Sequence, residues 1–212
     1  MEWIKDNAEL LRLGLGMISA LVWLAYLQIL YMGFVRQRQA VIMISHGAAE
    51  DERARCIVSN MATEPIYVIA ILARLTIGEK TYEASVIDRE ELNLDTMEDP
   101  IKRTNQGPLK SGEYMDIGSF RDLIYRARQK TEIPDGEPVK EIEITVGAAS
   151  GHASKLVVAR RKFERCVDEH DDVHFIPTTI LTKQIRGHWN QRKLLRQLHY
   201  SCLLYTSDAA DE

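Results

Sequence analysis

Between Arg12 and Arg36 the chain runs LGLGMISALVWLAYLQILYMGFV without a charged residue. About 20 consecutive apolar residues cross the hydrocarbon core of a bilayer as a helix. The pattern therefore predicts a membrane-spanning helix over 13–35 behind an N-terminal tail, 1–12. A secretory signal has a shorter apolar core and a small-residue cleavage site. Here the run continues through Leu30, Tyr31, Met32 and Phe34, which fits an uncleaved anchor. Trp3, Tyr31 and Phe34 fall where aromatic rings collect at membrane interfaces.

After Arg38 the pattern changes to alternation. Ala40 to Ser45, Arg53 to Ser59, Thr81 to Ile87, Tyr114 to Ile117, Val139 to Val146 and Ser154 to Phe163 read as strands. Ile66 to Ile77 is apolar on both faces and rich in β-branched residues, the signature of a buried central strand. Gly47 to Glu52, Asn60 to Pro65, Gly78 to Lys80, Pro134 to Gly136 and Ser150 to His152 carry turn chemistry, and Asp88 to Asn105 reads as a long polar connection. Gly107 to Gly112 holds two more turn signals. Ser119 caps a short helix in which Phe120, Leu123, Ile124 and Ala127 recur at helical spacing. Short strands with turns between them, and one small helix, predict a mainly β fold: an antiparallel, immunoglobulin-like β-sandwich over 39–175.

Residues 202–212, CLLYTSDAADE, match in frame the translation of a transposase-library sequencing adapter. They are set aside as a scar, and the natural C-terminus is expected to lie beyond a truncation there. This changes the charge picture. The chain has 27 basic and 31 acidic residues, formally −4; without Asp208, Asp211 and Glu212 the balance is about −1. It also removes Cys202, leaving Cys56 and Cys166. Two cysteines make no disulfide framework and offer no C-x-x-C spacing for zinc, which favours a reducing compartment. Hydrophobic content of 45% with 27% charged residues excludes a disordered chain.

The strand pattern CIVSN…EPIYV followed by GPLKSGEYMDIGSF is similar to that of bacterial single-pass membrane proteins of uncharacterised role that carry an immunoglobulin-like β-sandwich. The resemblance covers residue 1 to about residue 175. It brings no catalytic motif and implies no activity.

Orientation follows from the flanking bases. Arg36, Arg38, Arg53 and Arg55 follow the span, against Lys5 and Arg12 before it. By the positive-inside rule the domain faces the cytoplasm from the inner membrane, the periplasmic side being the alternative. Gly16 and Ala20 form a small-xxx-small pair. With Gln28 they offer a helix–helix contact for a homodimer, although small residues are common in such helices without that role.

Candidate chemistry is sparse. Cys166 to His174 gathers metal-ligand types, with His170, His174 and Asp168 the candidates. The two histidines would share a face of a helix, whereas a charged linker accounts for the same residues. No nucleophile elbow, P-loop or dinucleotide fingerprint is present. Glu113, Asp116 and Asp122 are carboxylates close in sequence with nothing to position a substrate between them. From Val173 to Ser201 there is no acid, and Lys183, Arg186, Arg192, Lys193 and Arg196 are interleaved with Trp189 and leucines. Residues 176–201 are read as a basic helical tail that packs on the domain, meets anionic lipid, or, less favoured, meets nucleic acid. The expectation is a non-enzymatic, membrane-anchored interaction or scaffold module with no cofactor and an unidentified protein partner. The alternatives are a metal-dependent or hydrolytic enzyme built on Cys166 to His174, and a membrane-tethered nucleic-acid binder.

Overall fold

The computed structural model describes residues 7–37, 41–47, 51–89, 103–131, 133, 137–150 and 155–185. The chain divides into two compact units, Met1–Gln39 and Ala40–Glu212.

The first unit is one helix, α1 (Ala8–Gln37). Its stretch Ala8–Phe34 has a mean hydropathy of 1.9 and none of its apolar window is buried. Leu13, Leu21, Trp23, Leu27 and Phe34 are all exposed, so apolar surface goes fully around the helix. Such a helix matches a membrane anchor or a signal sequence, the two settings that cover a helix apolar on every side.

The second unit is mainly β and antiparallel throughout its named strand pairs. A three-stranded sheet has the order β1 (Ile42–Gly47), β2 (Arg55–Asn60), β6 (Tyr114–Ser119). A seven-stranded sheet is built on β3 (Ile66–Ile77), β4 (Lys80–Ser85), β7 (Glu141–Ser150) and β8 (Lys155–Val167). Three short strands complete it: β5 (Gly107–Leu109) beside β3, and β9 (Val173–Pro177) and β10 (Lys183–Ile185) beside β8. As its two apolar faces predict, β3 is central, with β7 on one flank and β4 and β5 on the other. Ile42, Ile44, Cys56 and Val58 of the small sheet join Ile71, Leu75, Ile144 and Phe163 of the large one in a single core.

The helix α2 (Phe120–Gln129) closes that core. Ser119 Oγ accepts from the Asp122 N–H while the Asp122 carboxylate accepts from the Ser119 N–H, a reciprocal capping box. Phe120, Leu123 and Ala127 are buried, at the predicted spacing. Phe120 stacks on Phe175 at 5.1 Å and meets Phe163 edge-on at 4.9 Å.

Ten strands are present among the described residues, where alternation reveals about seven. β5 contains Pro108, which reads as a turn signal. It sits on the flank of β3 as an edge strand, a place in a sheet where proline is tolerated. β9 and β10 are the larger correction. The sequence pattern places the end of the domain at 175 and a helical tail from 176, yet the sheet runs to Ile185. Their strand pattern is only three to five residues long, and it is stabilised by β8 rather than by local periodicity. Between Asp88 and Asn105, Asp88 bridges Thr104 and the Arg89 N–H donates to Arg103 O at 2.7 Å, so the ends of the connection are paired.

Two devices hold the small sheet against the large one. Edge strand β1 has its outer backbone groups satisfied by side chains. Gln184 accepts from the Ile42 N–H at 3.2 Å and donates to Ile42 O at 2.6 Å, and Thr182 Oγ1 accepts from the Ile44 N–H at 2.9 Å. An amide side chain thus takes the place of a neighbouring strand. The second device is Arg161 on the inner face of β8. It donates to Ile44 O, to Thr179 O at 2.9 Å and to Ile180 O at 3.0 Å.

At the other side of the small sheet β6 carries a bulge. Cys56 pairs with Gly118 and Ile57 with Asp116, leaving Ile117 as the extra residue. Its freed carbonyl accepts from Arg126 at 2.9 Å, and the same guanidinium nitrogen reaches Val86 O at 3.1 Å. Arg126 is fully buried.

Candidate functional site

The β8–β9 hairpin accounts for the residues with metal-ligand chemistry. Asp168 Oδ1 accepts from the backbone N–H groups of His170 and Asp172, both at 2.9 Å. Its other oxygen lies 3.1 Å from His174 Nε2. Asp168 is therefore the carboxylate that ties the turn. Those bonds, the Asp172 N–H first and then His174, hold its pKa below the ordinary carboxylate value. The helical face expected to unite His170 and His174 does not form, because the segment is a turn leading into a strand. His174 lies across from Cys166 instead, and the described contacts of His170 at Asp168 are through its backbone. Among the described residues no three His, Cys, Asp or Glu side chains gather as a metal site.

The carboxylates around α2 are likewise structural. Asp116 pairs with Arg55 at 2.7 Å, Asp122 belongs to the capping box, and Glu113 accepts from the Lys110 N–H at 2.8 Å. Lys183 is an exposed residue of β10, opposite Arg160. Arg186, Arg192, Lys193, Arg196 and Arg38 lie outside the described residues, and Arg36 is in the last turn of α1. Gly16, Ala20 and Gln28 are exposed positions of α1, the first two one turn apart on one face.

Both described cysteines are free thiols. Burial, reinforced by the charge of Asp116, pushes the Cys56 thiol up to about 12. The thiolate is the reactive form, so Cys56 is inert in the folded chain while half-buried Cys166 is accessible. Maleimide labelling of the native protein followed by peptide mass mapping is expected to find Cys166 modified and Cys56 modified only after unfolding. Burial, and then the charge of Arg161, also lower the pKa of His46 at the rim of the core.

Among the described residues a cleft of about 300 Å³ beside α2 has the character of a binding site. Arg121, Ile124 and Arg128 recur at i, i+3 and i+7 and so form one wall from one face of the helix. The facing wall comes from distant segments: Glu52 before β2, Glu137 to Val139 before β7, Arg165 on β8 and Phe175 on β9. The Arg121 N–H donates to Glu52 O at 3.0 Å, and the Arg165 N–H donates to Lys140 O at 2.9 Å, which fixes the walls through backbone bonds. Arg128 spans the cleft and donates to Glu137 O at 2.7 Å.

Arg165 and Arg121 differ from the other described arginines of the domain. Arg55 and Arg74 meet carboxylates; Arg126 and Arg161 meet carbonyls. Arg165 points from the same face of β8 as buried Phe163 and is half-buried, yet neither it nor Arg121 has a side-chain hydrogen bond or ion pair among the described residues. Sequence reasoning missed this site. The helix face carrying Arg121 and Arg128 was legible from spacing; the approach of Arg165 and Glu52 depends on strand pairing across the whole domain.

No family model matches the chain, and no curated protein matches it. A solved structure from Bordetella pertussis, under the name ApaA protein, aligns with 71% of this chain and 93% of its own length at 12% identity. Its TM-score of 0.20 carries no argument about fold or function.

Proposed function

We propose that the chain is a single-pass membrane protein whose β domain, an immunoglobulin-like sandwich, is an interaction or scaffold module on the cytoplasmic face of the inner membrane. The observation that carries the reading is α1, a 30-residue helix whose apolar window is unburied, followed by a β unit with its own core. In water that much contiguous apolar surface is a liability; in lipid it is the anchor. The run lacks the short apolar core of a secretory signal, which favours an anchor that stays attached. Two sheets sharing one core, with strand edges covered by side chains, fit a sandwich that offers its loops and clefts to partners.

The basic residues Arg186, Arg192, Lys193 and Arg196 would add attraction to an anionic leaflet, about 1 kcal/mol each near the surface. Lys183 is held in β10, and the other four lie outside the described residues.

Orientation gives the test. A reporter active only in the periplasm, fused after Ser201, is expected to stay silent. Changing Arg36 and Arg38 together to Gln is expected to raise its activity, because half of the four bases that follow the span are then gone. Full reporter activity in the unaltered chain would mean the domain is periplasmic.

A further inference from the structure

We infer that the cleft between α2, β8 and β9 binds a carboxylate carried on an apolar body, with Arg165 and Arg121 gripping the carboxylate. This names the ligand chemistry of the interaction module described above and rests on that reading.

A guanidinium taken partly out of water is costly unless it is paired. Arg165 is half-buried, faces inward, and has no side-chain partner among the described residues. Every other half-buried or buried arginine of the domain discussed above has one. The cost is offset if a ligand supplies the missing anion.

The lining charge selects the type of anion. Three arginines stand against Glu52 and Glu137, a balance of one positive charge. A monoanion completes it, whereas a dianionic phosphate would face two carboxylates. The planar fork of arginine also matches a carboxylate through two parallel hydrogen bonds. Between the charges lie Ile124, Pro138, Val139 and Phe175, an apolar floor. The volume, about 300 Å³, is at the small end of ligand sites and suits one apolar side chain with its acid group. Two sources offer that chemistry: a small organic acid, and the C-terminus of a protein that ends in an apolar residue.

The test uses the full chain in dodecyl maltoside. Three probes are titrated by calorimetry: N-acetyl-leucine, a hexapeptide ending in leucine with a free carboxylate, and the same hexapeptide amidated. Saturable binding is expected for the carboxylate probes and not for the amide. Binding of the hexapeptide more than about tenfold tighter than N-acetyl-leucine assigns the site to a protein terminus; equal or weaker binding assigns it to a small acid. Arg165→Gln is expected to weaken binding by about tenfold or more, with Arg165→Lys in between, since lysine keeps the charge and loses the fork. If Arg165→Gln alters the thermal melt, exposed Arg121→Gln supplies the same comparison without touching the core. Absence of saturable binding by either carboxylate, equal binding of the amide, or unchanged affinity in a variant that melts like the parent overturns the inference. Membrane retention and orientation would be untouched by that failure, so the two readings fail separately.

Discussion

Replacing Gly118 by alanine is expected to destabilise the β domain by about 3–5 kcal/mol. Gly118 has φ +118, a conformation that side-chain-bearing residues rarely adopt, and such strain costs roughly 1–3 kcal/mol. A Cβ there would also lie 2.7 Å from Arg126 Nη2. The far end of an exposed arginine would move aside cheaply, but Arg126 is fully buried and bonded to Ile117 O and Val86 O. Each charged bond lost is worth about 1.5–3 kcal/mol. In a domain of this size the shift amounts to a melting temperature lower by roughly 10 °C. The double variant Gly118→Ala with Arg126→Met should cost less than the two single changes added, because both disrupt the same contact. Additive costs would show that the two residues share no contact, and a melt of Gly118→Ala within about 2 °C of the parent would show that the bulge does not depend on glycine.

Arg161→Ala should rank close behind, at about 3–5 kcal/mol. The carbonyls of Thr179 and Ile180 lose the Arg161 donor together, and that of Ile44 keeps only the Thr182 hydroxyl at 3.3 Å; removing one side of a buried charged contact is among the few changes that reach this size. The loss falls on the joint between the two sheets, so hydrogen exchange should speed first in β1 and in the 178–182 segment. Arg161→Lys should recover only part of the loss, because one ammonium cannot repeat the fork that spans three acceptors. Uniform acceleration across the domain would place the joint elsewhere.

How far the fold could be read from the chain follows from these same residues. β3 and α2 were legible because their determinants are local: β-branched residues in a continuous run, and the Ser119 cap before Phe120, Leu123 and Ala127. β5, β9 and β10 were not, since strands this short owe their existence to the neighbour they pair with. The segment from Asp168 to His174 misled for a related reason. Its histidines have helical spacing, but Asp168 closes a turn with its own carboxylate and ends any helical reading. Arginine positions were opaque altogether. Arg126 on α2 and Arg161 and Arg165 on β8 look like surface bases in sequence, and only the packing of the whole domain buries the first two and half-buries the third.

The anchor remains the claim on which the rest depends, and alkaline carbonate extraction of cell membranes followed by mass analysis of the chain tests it most directly. The account predicts that the protein stays in the membrane pellet with α1, Ala8–Gln37, still attached. Recovery in the supernatant, or a mature chain that begins after α1, would contradict it and make the helix a signal sequence.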